Sequence, residues 1–246
     1  MRRNYTTMTI LEQIQSKKTP GLAILIDPDK TDSRKIQDLT NKIDTLKVDF
    51  FFVGGSHITT GNINETINLL KSQSKLPVVL FPGSVLQIAD KADAVLFLSL
   101  ISGRNPEYLI GQHVIAAPYI EKISLETIPT GYMLVDSGQS TTASYMSNTI
   151  PLPIDKPALA ASTALAGELL GLKLIYADAG SGAKNSIPDE MIKAIKEKVS
   201  IPLIVGGGIR SAKTAQEKID AGADLIVVGN AIEDNPSFIN ELMSIF

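Results

Sequence analysis

Short blocks of apolar residues recur along the chain at residues 22–26, 50–53, 78–81, 94–98, 132–135, 172–176, 203–205 and 225–228. Each is too short for a helix, and none alternates polar with apolar positions. Unbroken runs rich in Val, Ile and Leu mark strands covered on both faces, as in a parallel sheet. Most of the intervals carry a helical rhythm instead. Ile187, Met191, Ile192, Ile195 and Val199 fall on one face, with Lys193, Lys196 and Lys198 turned away. Ser211 is placed to cap a helix running through Ala221, which Gly222 can end in a left-handed conformation. Six intervals hold such a helix. Residues 84–91 are too few for one, and residues 137–157, rich in Ser, Thr, Gly and Pro, read as a long loop.

Eight strands with helices between them predict a (β/α)8 TIM barrel, modified by a weak or missing helix after the third strand. No linker or composition shift divides residues 1–246, so a single barrel domain is expected. A doubly wound sheet is the competing architecture. It lacks its usual fingerprint here, since neither Gly-x-Gly-x-x-Gly nor a Gly-x-x-x-x-Gly-Lys-Ser/Thr loop occurs. The strand ends also favour the barrel, which gathers them on one face. They are Asp27, Gly54-Gly55-Ser56, Pro82-Gly83, Ser99, Asp136, Asp178, Gly206-Gly207-Gly208 and Gly229-Asn230.

Composition narrows the function classes. The absence of cysteine removes thiol catalysis, disulfides and Cys-ligated zinc, and is compatible with a cytoplasmic protein. With 23 basic against 26 acidic residues, the overall charge provides no electrostatic case for nucleic acid. The first residues are basic but lead into polar ones, not a signal-peptide apolar stretch, and no run is long enough to span a membrane. Contact with a bilayer surface stays open.

Candidate chemistry is concentrated at the last strands. Gly206-Gly207-Gly208 follows the seventh and Gly229-Asn230 the eighth, the usual position of a phosphate site in barrel enzymes. Glycine lets the backbone approach a ligand and presents its N–H groups to phosphate oxygens, and a short helix from Asn230 would add its positive end. After the sixth strand, Tyr176-Ala177-Asp178-Ala179-Gly180-Ser181-Gly182 sets a carboxylate before a turn of small donors. Asp178 is either a site residue or a cap on that turn. Asp27, in Asp27-Pro28-Asp29-Lys30, leaves an apolar strand as a charge in need of a partner. That partner is either a hard divalent cation such as Mg2+, with an oxygen added by Ser56, or an Asx-turn with Asp29 beside a surface Lys30. His57 and His113 form no triad or ligand pattern and read as structural or surface residues. Arg104 reads equally as an anion contact or a solvated side chain.

Taken together, five stretches resemble the geranylgeranylglyceryl phosphate synthase family, with its heptaprenylglyceryl phosphate relatives. They are Ile26-Asp27-Pro28-Asp29-Lys30, Val53-Gly54-Gly55-Ser56, Tyr176 to Gly182, Gly206-Gly207-Gly208-Ile209 and Val228-Gly229-Asn230-Ala231. The resemblance implies transfer of a prenyl group from its diphosphate to sn-glycerol 1-phosphate, with Mg2+. It implies Asp27 and Ser56 at the metal, and Asp178 as the base. It also implies a glycerol-phosphate site of Tyr176, Ala177, Asp178, Ala179, Gly180, Ser181, Gly182, Gly207, Gly208, Gly229 and Asn230. Many relatives carry Glu where this chain has Asp178, a side chain shorter by one C–C bond. The long form, with residues 137–142 after strand five, resembles the archaeal and Bacteroidetes branch and implies a geranylgeranyl donor. A homo-oligomer is expected. The competing functions are another phosphate-binding barrel enzyme, such as a phosphosugar isomerase or flavin phosphate enzyme, and a catalytically silent barrel that binds a phosphometabolite.

Overall fold

A computed structural model describes residues 8–43, 47–235, 237–242 and 244–246. The reading of the basic start falls on residues 1–7, outside the described residues. Eight parallel strands close into a barrel in sequence order: β1 (Gly21–Ile26), β2 (Phe50–Val53), β3 (Val78–Leu80), β4 (Ala94–Leu100), β5 (Glu126–Leu134), β6 (Leu174–Asp178), β7 (Leu203–Gly206) and β8 (Leu225–Val228). β8 pairs with β1 from Gly21↔Leu225 to Ile24↔Val228 and closes the ring. All eight apolar blocks became strands. β5 begins earlier than the block at 132–135 suggested, and it contains Pro129. The proline lacks a ladder donor, but its carbonyl still accepts from Lys173 N at 2.8 Å, so the strand continues.

The helices are α1 (Ile10–Ser16), α2 (Ser33–Ile43), α3 (Ile63–Gln73), α4 (Gln112–Ile123), α5 (Thr142–Ser147), α6 (Pro157–Leu169), α7 (Asp189–Lys196), α8 (Ala212–Asp220), α9 (Asn230–Asp234) and α10 (Phe238–Leu242). Between β3 and β4 there is only a three-residue 3-10 turn at Val85–Gln87, so the helix expected to be weak is missing. The loop at 137–157 is less bare than its composition suggested. It holds α5, capped by Thr141, and a bridge from Val135 to Leu152. α7 buries Met191, Ile192 and Ile195, and Ser211 caps α8 by accepting from Thr214 N.

The strands bury both faces. One set of side chains, including Ala23, Phe50, Phe52, Leu96, Ile128, Tyr176 and Ile204, fills the barrel interior, and Ile10 and Ile14 of α1 join it. The alternate set, including Val53, Val95, Ile175, Val205 and Ile226, packs under the helices. This two-sided burial is why the blocks lack polar alternation. An aromatic column rises through the interior from Phe50 to Phe52, Phe81 and Tyr176, with successive ring centroids 6.5, 6.5 and 4.9 Å apart. Its upper end meets Asp178.

Candidate functional site

Asp178 is the last residue of β6, two positions beyond Tyr176 and on the same face of the strand. It is only 7% exposed. Oδ1 accepts from Gly180 N at 2.8 Å, and Oδ2 accepts from the Tyr132 hydroxyl at 2.6 Å. Burial raises its carboxyl above the usual 3.8, and the bonds from Tyr132 and Gly180 offset part of that shift. β5 supplies Tyr132 because its register sets Tyr132 level with Tyr176 and Leu134 level with Asp178. Phe81 stacks on Tyr176, and Tyr132 stands edge-on to both rings. Burial and the nearby Asp178 charge push the Tyr132 and Tyr176 phenols well above 10.0.

The glycines at the end of β7 and just after it make room for this group. Gly206 lies level with Asp178, and a Cβ there would fall 2.5 Å from the Tyr176 hydroxyl. Gly207 has φ +82°, and a Cβ would come within 2.8 Å of both Asp178 Oδ1 and Gly180 N. Close packing as well as backbone exposure therefore requires glycine at these positions. A 3.2 Å hydrogen bond from Ser181 to Asn230 joins the loops after β6 and β8 across the β7 loop, and α9 starts at Asn230 as the sequence indicated.

Across the barrel mouth, Asp27 Oδ1 accepts from Asp29 N at 3.0 Å, while Oδ2 lies 3.4 Å from Lys30 Nζ. The lysine also lies 3.3 Å from Glu233 of α9. The Asx-turn with Asp29 and the exposed Lys30 stand as one of the two sequence alternatives described them. Beyond that alternative, Lys30 pairs with both Asp27 and Glu233 and so bridges the β1 and β8 loops. Burial alone would lower the Lys30 ammonium, but Glu233 and Asp27 outweigh it and raise it. Burial raises the Glu233 carboxyl, with Lys30 opposing. Asp29 accepts backbone N–H bonds from Thr59, Thr60 and Gly61, which hold its carboxyl well below the usual range and fix the loop after β2. Gly55 packs against Asp27, and Ser56 follows on the same rim.

One cleft of roughly 400 Å3 contains both groups. Its lining includes Asp27, Ser56, Tyr176, Asp178, Gly180, Ser181, Gly182, Gly207, Gly208, Gly229 and Asn230. Ala177 and Ala179 face the other way, into the layer under the helices. An apolar arm leaves through the gap where the helix after β3 is missing, bordered by Val85, Ile88, Phe97, Tyr108, His113 and Met146. His113 is thus part of the cleft wall, edge-on to Phe97 at 4.4 Å. Sequence reasoning missed Tyr132, Glu233 and Phe81 as site residues. Tyr132 had one usable signal, a polar-tipped residue opening an apolar strand block. Among the described residues, no cluster of three or more His, Asp or Glu could form a dedicated metal cage, and no helix is long and apolar enough to cross a membrane.

The chain is similar in sequence and fold to several named proteins. A geranylgeranylglyceryl phosphate synthase of Spirosoma linguale is 51% identical over 238 residues, covering 97% of this chain and 96% of that protein. One from Korarchaeum cryptofilum is 40% identical over 227 residues, covering 92% and 93%. The crystal structure of (S)-3-O-geranylgeranylglyceryl phosphate synthase from Thermoplasma acidophilum, in complex with its substrate sn-glycerol-1-phosphate, superposes with a TM-score of 0.91 at 34% identity, covering 97% of each chain. The PcrB family model matches residues 13–245, and the chain belongs to that family.

Proposed function

We propose that the protein transfers a geranylgeranyl group, or a prenyl group of similar length, from its diphosphate to the free hydroxyl of sn-glycerol 1-phosphate. The observation that carries this reading is the composition of the cleft that holds both groups. Glycine-rich loops and a buried carboxylate form one end, and an apolar arm leaves from the other. A phosphorylated polar acceptor suits the first and a hydrocarbon chain suits the second. The names of the relatives agree with both halves.

The acceptor hydroxyl is a weak nucleophile. An ordinary Asp has a pKa near 3.9, more than about ten units below a water-like hydroxyl at roughly 15.7. Asp178 therefore does not generate an alkoxide beforehand. It accepts the proton as the allylic C–O bond breaks and positive charge develops, a form of catalysis worth about 10²–10⁴-fold. Phe81 and Tyr132 line the cleft and put aromatic π-systems beside that developing cation.

Asp27 and Ser56 would hold Mg2+. They fit an ion that takes few protein ligands and shares substrate phosphate oxygens, because they offer hard oxygen donors without a closed carboxylate cage. When bound, the ion neutralises charge on the departing diphosphate. Lys30, held between Asp27 and Glu233, adds a cation to the same rim. A cytoplasmic homo-oligomer belongs to this reading. The absence of cysteine is compatible with that compartment, and Ile110, Val114, Ile115 and Tyr119, exposed at the start and along α4, offer an apolar surface for a second copy.

The test is product mass after incubation with sn-glycerol 1-phosphate, Mg2+ and an equimolar mixture of prenyl diphosphates. A dominant geranylgeranylglyceryl phosphate peak that disappears in excess chelator is expected. No prenylated glycerol phosphate would refute the activity, and full turnover with chelator would remove the metal.

A further inference from the structure

We propose that Tyr132 is a second catalytic residue, whose phenol takes the proton of the acceptor hydroxyl while passing its own to Asp178. The inference rests on the prenyl-transfer reading and concerns the route of the proton within it.

Asp178 borders the cleft but presents little free surface to a substrate. It is 7% exposed, its Oδ1 is engaged by Gly180 N, and Gly207 packs against that oxygen. Its Oδ2 is engaged by Tyr132 at 2.6 Å, a short, charge-assisted hydrogen bond. Of the three polar side chains at this end of the aromatic column, Tyr176 is 1% exposed and its hydroxyl lies against Gly206, whereas Tyr132 is only half-buried. Tyr132 thus stands between the buried carboxylate and the open cleft.

Its phenol is no independent base. Burial and the neighbouring carboxylate push it well above 10.0, so a free phenolate would be costly. A coupled transfer avoids that species. As the acceptor oxygen bonds to the allylic carbon, the C–O bond to the diphosphate breaks and its electron pair leaves with the diphosphate. The hydroxyl proton moves to Tyr132 Oη, and the Tyr132 proton moves to Asp178 Oδ2. Tyrosine ends neutral and Asp178 ends protonated.

The test compares wild type, Tyr132→Phe, Asp178→Asn and the double variant in single-turnover reactions, with glycerol phosphate binding measured by calorimetry. Tyr132→Phe should slow the chemical step by about 10²–10⁴-fold, as much as Asp178→Asn. The double variant should be no slower than the worse single, because residues acting as one unit are not additive. Acceptor affinity should stay within about threefold, and thermal melting should show a folded protein. The relay is overturned if Tyr132→Phe keeps more than about a tenth of the wild-type rate, or if the two losses multiply. A purely structural role would weaken acceptor binding and leave the single-turnover rate at saturation intact. If wild type itself forms no prenylglyceryl phosphate, the functional reading fails; if it does and Tyr132→Phe is fast, only the relay fails.

Discussion

The aspartates of the N-terminal rim and Asp178 at the C-terminal rim are used in opposite ways. At the N-terminal rim, Asp49, Asp93 and Asp224 each precede a strand and accept from the first residues of the preceding strand, at Leu22 N, Val78 N and Leu203 N. Each also pairs with a lysine, Lys17, Lys71 and Lys196 respectively. Glu126 extends the pattern by accepting from the N–H groups of Ile10 and Leu11, both at 2.9 Å, which seats α1 under the barrel. The three aspartates are partly exposed, cation-paired and bonded to backbone, and Glu126 is bonded to backbone, so all four act as clamps. At the C-terminal rim, Asp178 has no basic partner among the described residues and is held by one N–H and one phenol in a buried site that raises its pKa. A carboxylate paired with lysine and strand N–H groups stabilises the fold but is a poor proton acceptor; one kept buried without a cation costs stability and gains basicity.

The comparison is tested most severely at Asp178. Asp178→Asn should lower kcat by about 10²–10⁴-fold. Its melting temperature should stay equal or rise. The folded-state pKa lies above the unfolded value of 3.8, so the charge lowers stability as pH rises through that interval and removing it relieves the cost. In the wild type, kcat should fall on acidification at a pH above 3.8, because protonated Asp178 cannot take the proton. A large loss of stability with unchanged kcat would mean that the two rims do not divide the work.

Gly207→Ala comes next. A side chain at φ +82° carries backbone strain, and its Cβ would crowd Asp178 Oδ1 at 2.8 Å. A penalty of about 1–2 kcal/mol falling on the acceptor site corresponds to roughly a tenfold rise in the KM for glycerol phosphate. Steady-state kinetics with saturating donor decides it, and an unchanged KM would separate the β7 glycines from the acceptor.

The smallest effect belongs to the opposite rim. Asp224→Ala leaves Leu203 N unpaired at a partly buried position and removes a bond of 2.7 Å. The expected loss is about 1–3 kcal/mol of stability, read by urea unfolding, with kcat unchanged. Most of this comes from the N–H group, since the ion pair with Lys196 is exposed enough to be screened. Activity lost without stability lost would break the comparison from this side.

Much of this division is visible in hindsight along the chain. Asp49-Phe50, Asp93-Ala94 and Asp224-Leu225 each set an aspartate directly before an apolar block, yet only closure of the barrel shows that each reaches back to the preceding strand. Local patterns determined the eight strands, the gap after β3, the cap at Ser211 and the glycine loops. Burial on both faces leaves an uninterrupted apolar run, and backbone geometry restricts turns and caps to a few residue types. The Asx-turn at Asp27 was legible for the same reason, since Asp27 and Asp29 are two residues apart.

Tertiary structure decided what those local elements meet. Pairing of β5 with β6 brought Tyr132 to Asp178, and adjacency of β8 and β1 placed Glu233 beside Lys30, at the far ends of the chain. The strand alternation on β6 sent Tyr176 and Asp178 inward and Ala177 outward, although all belong to one motif. The missing helix became an apolar arm only because β4 and α4 face the space it leaves. Residue type and short-range spacing set which backbone shapes are accessible. Which side chain fills the hydrogen-bonding capacity of a buried carboxylate depends on strand register, and register emerges only when the whole ring closes.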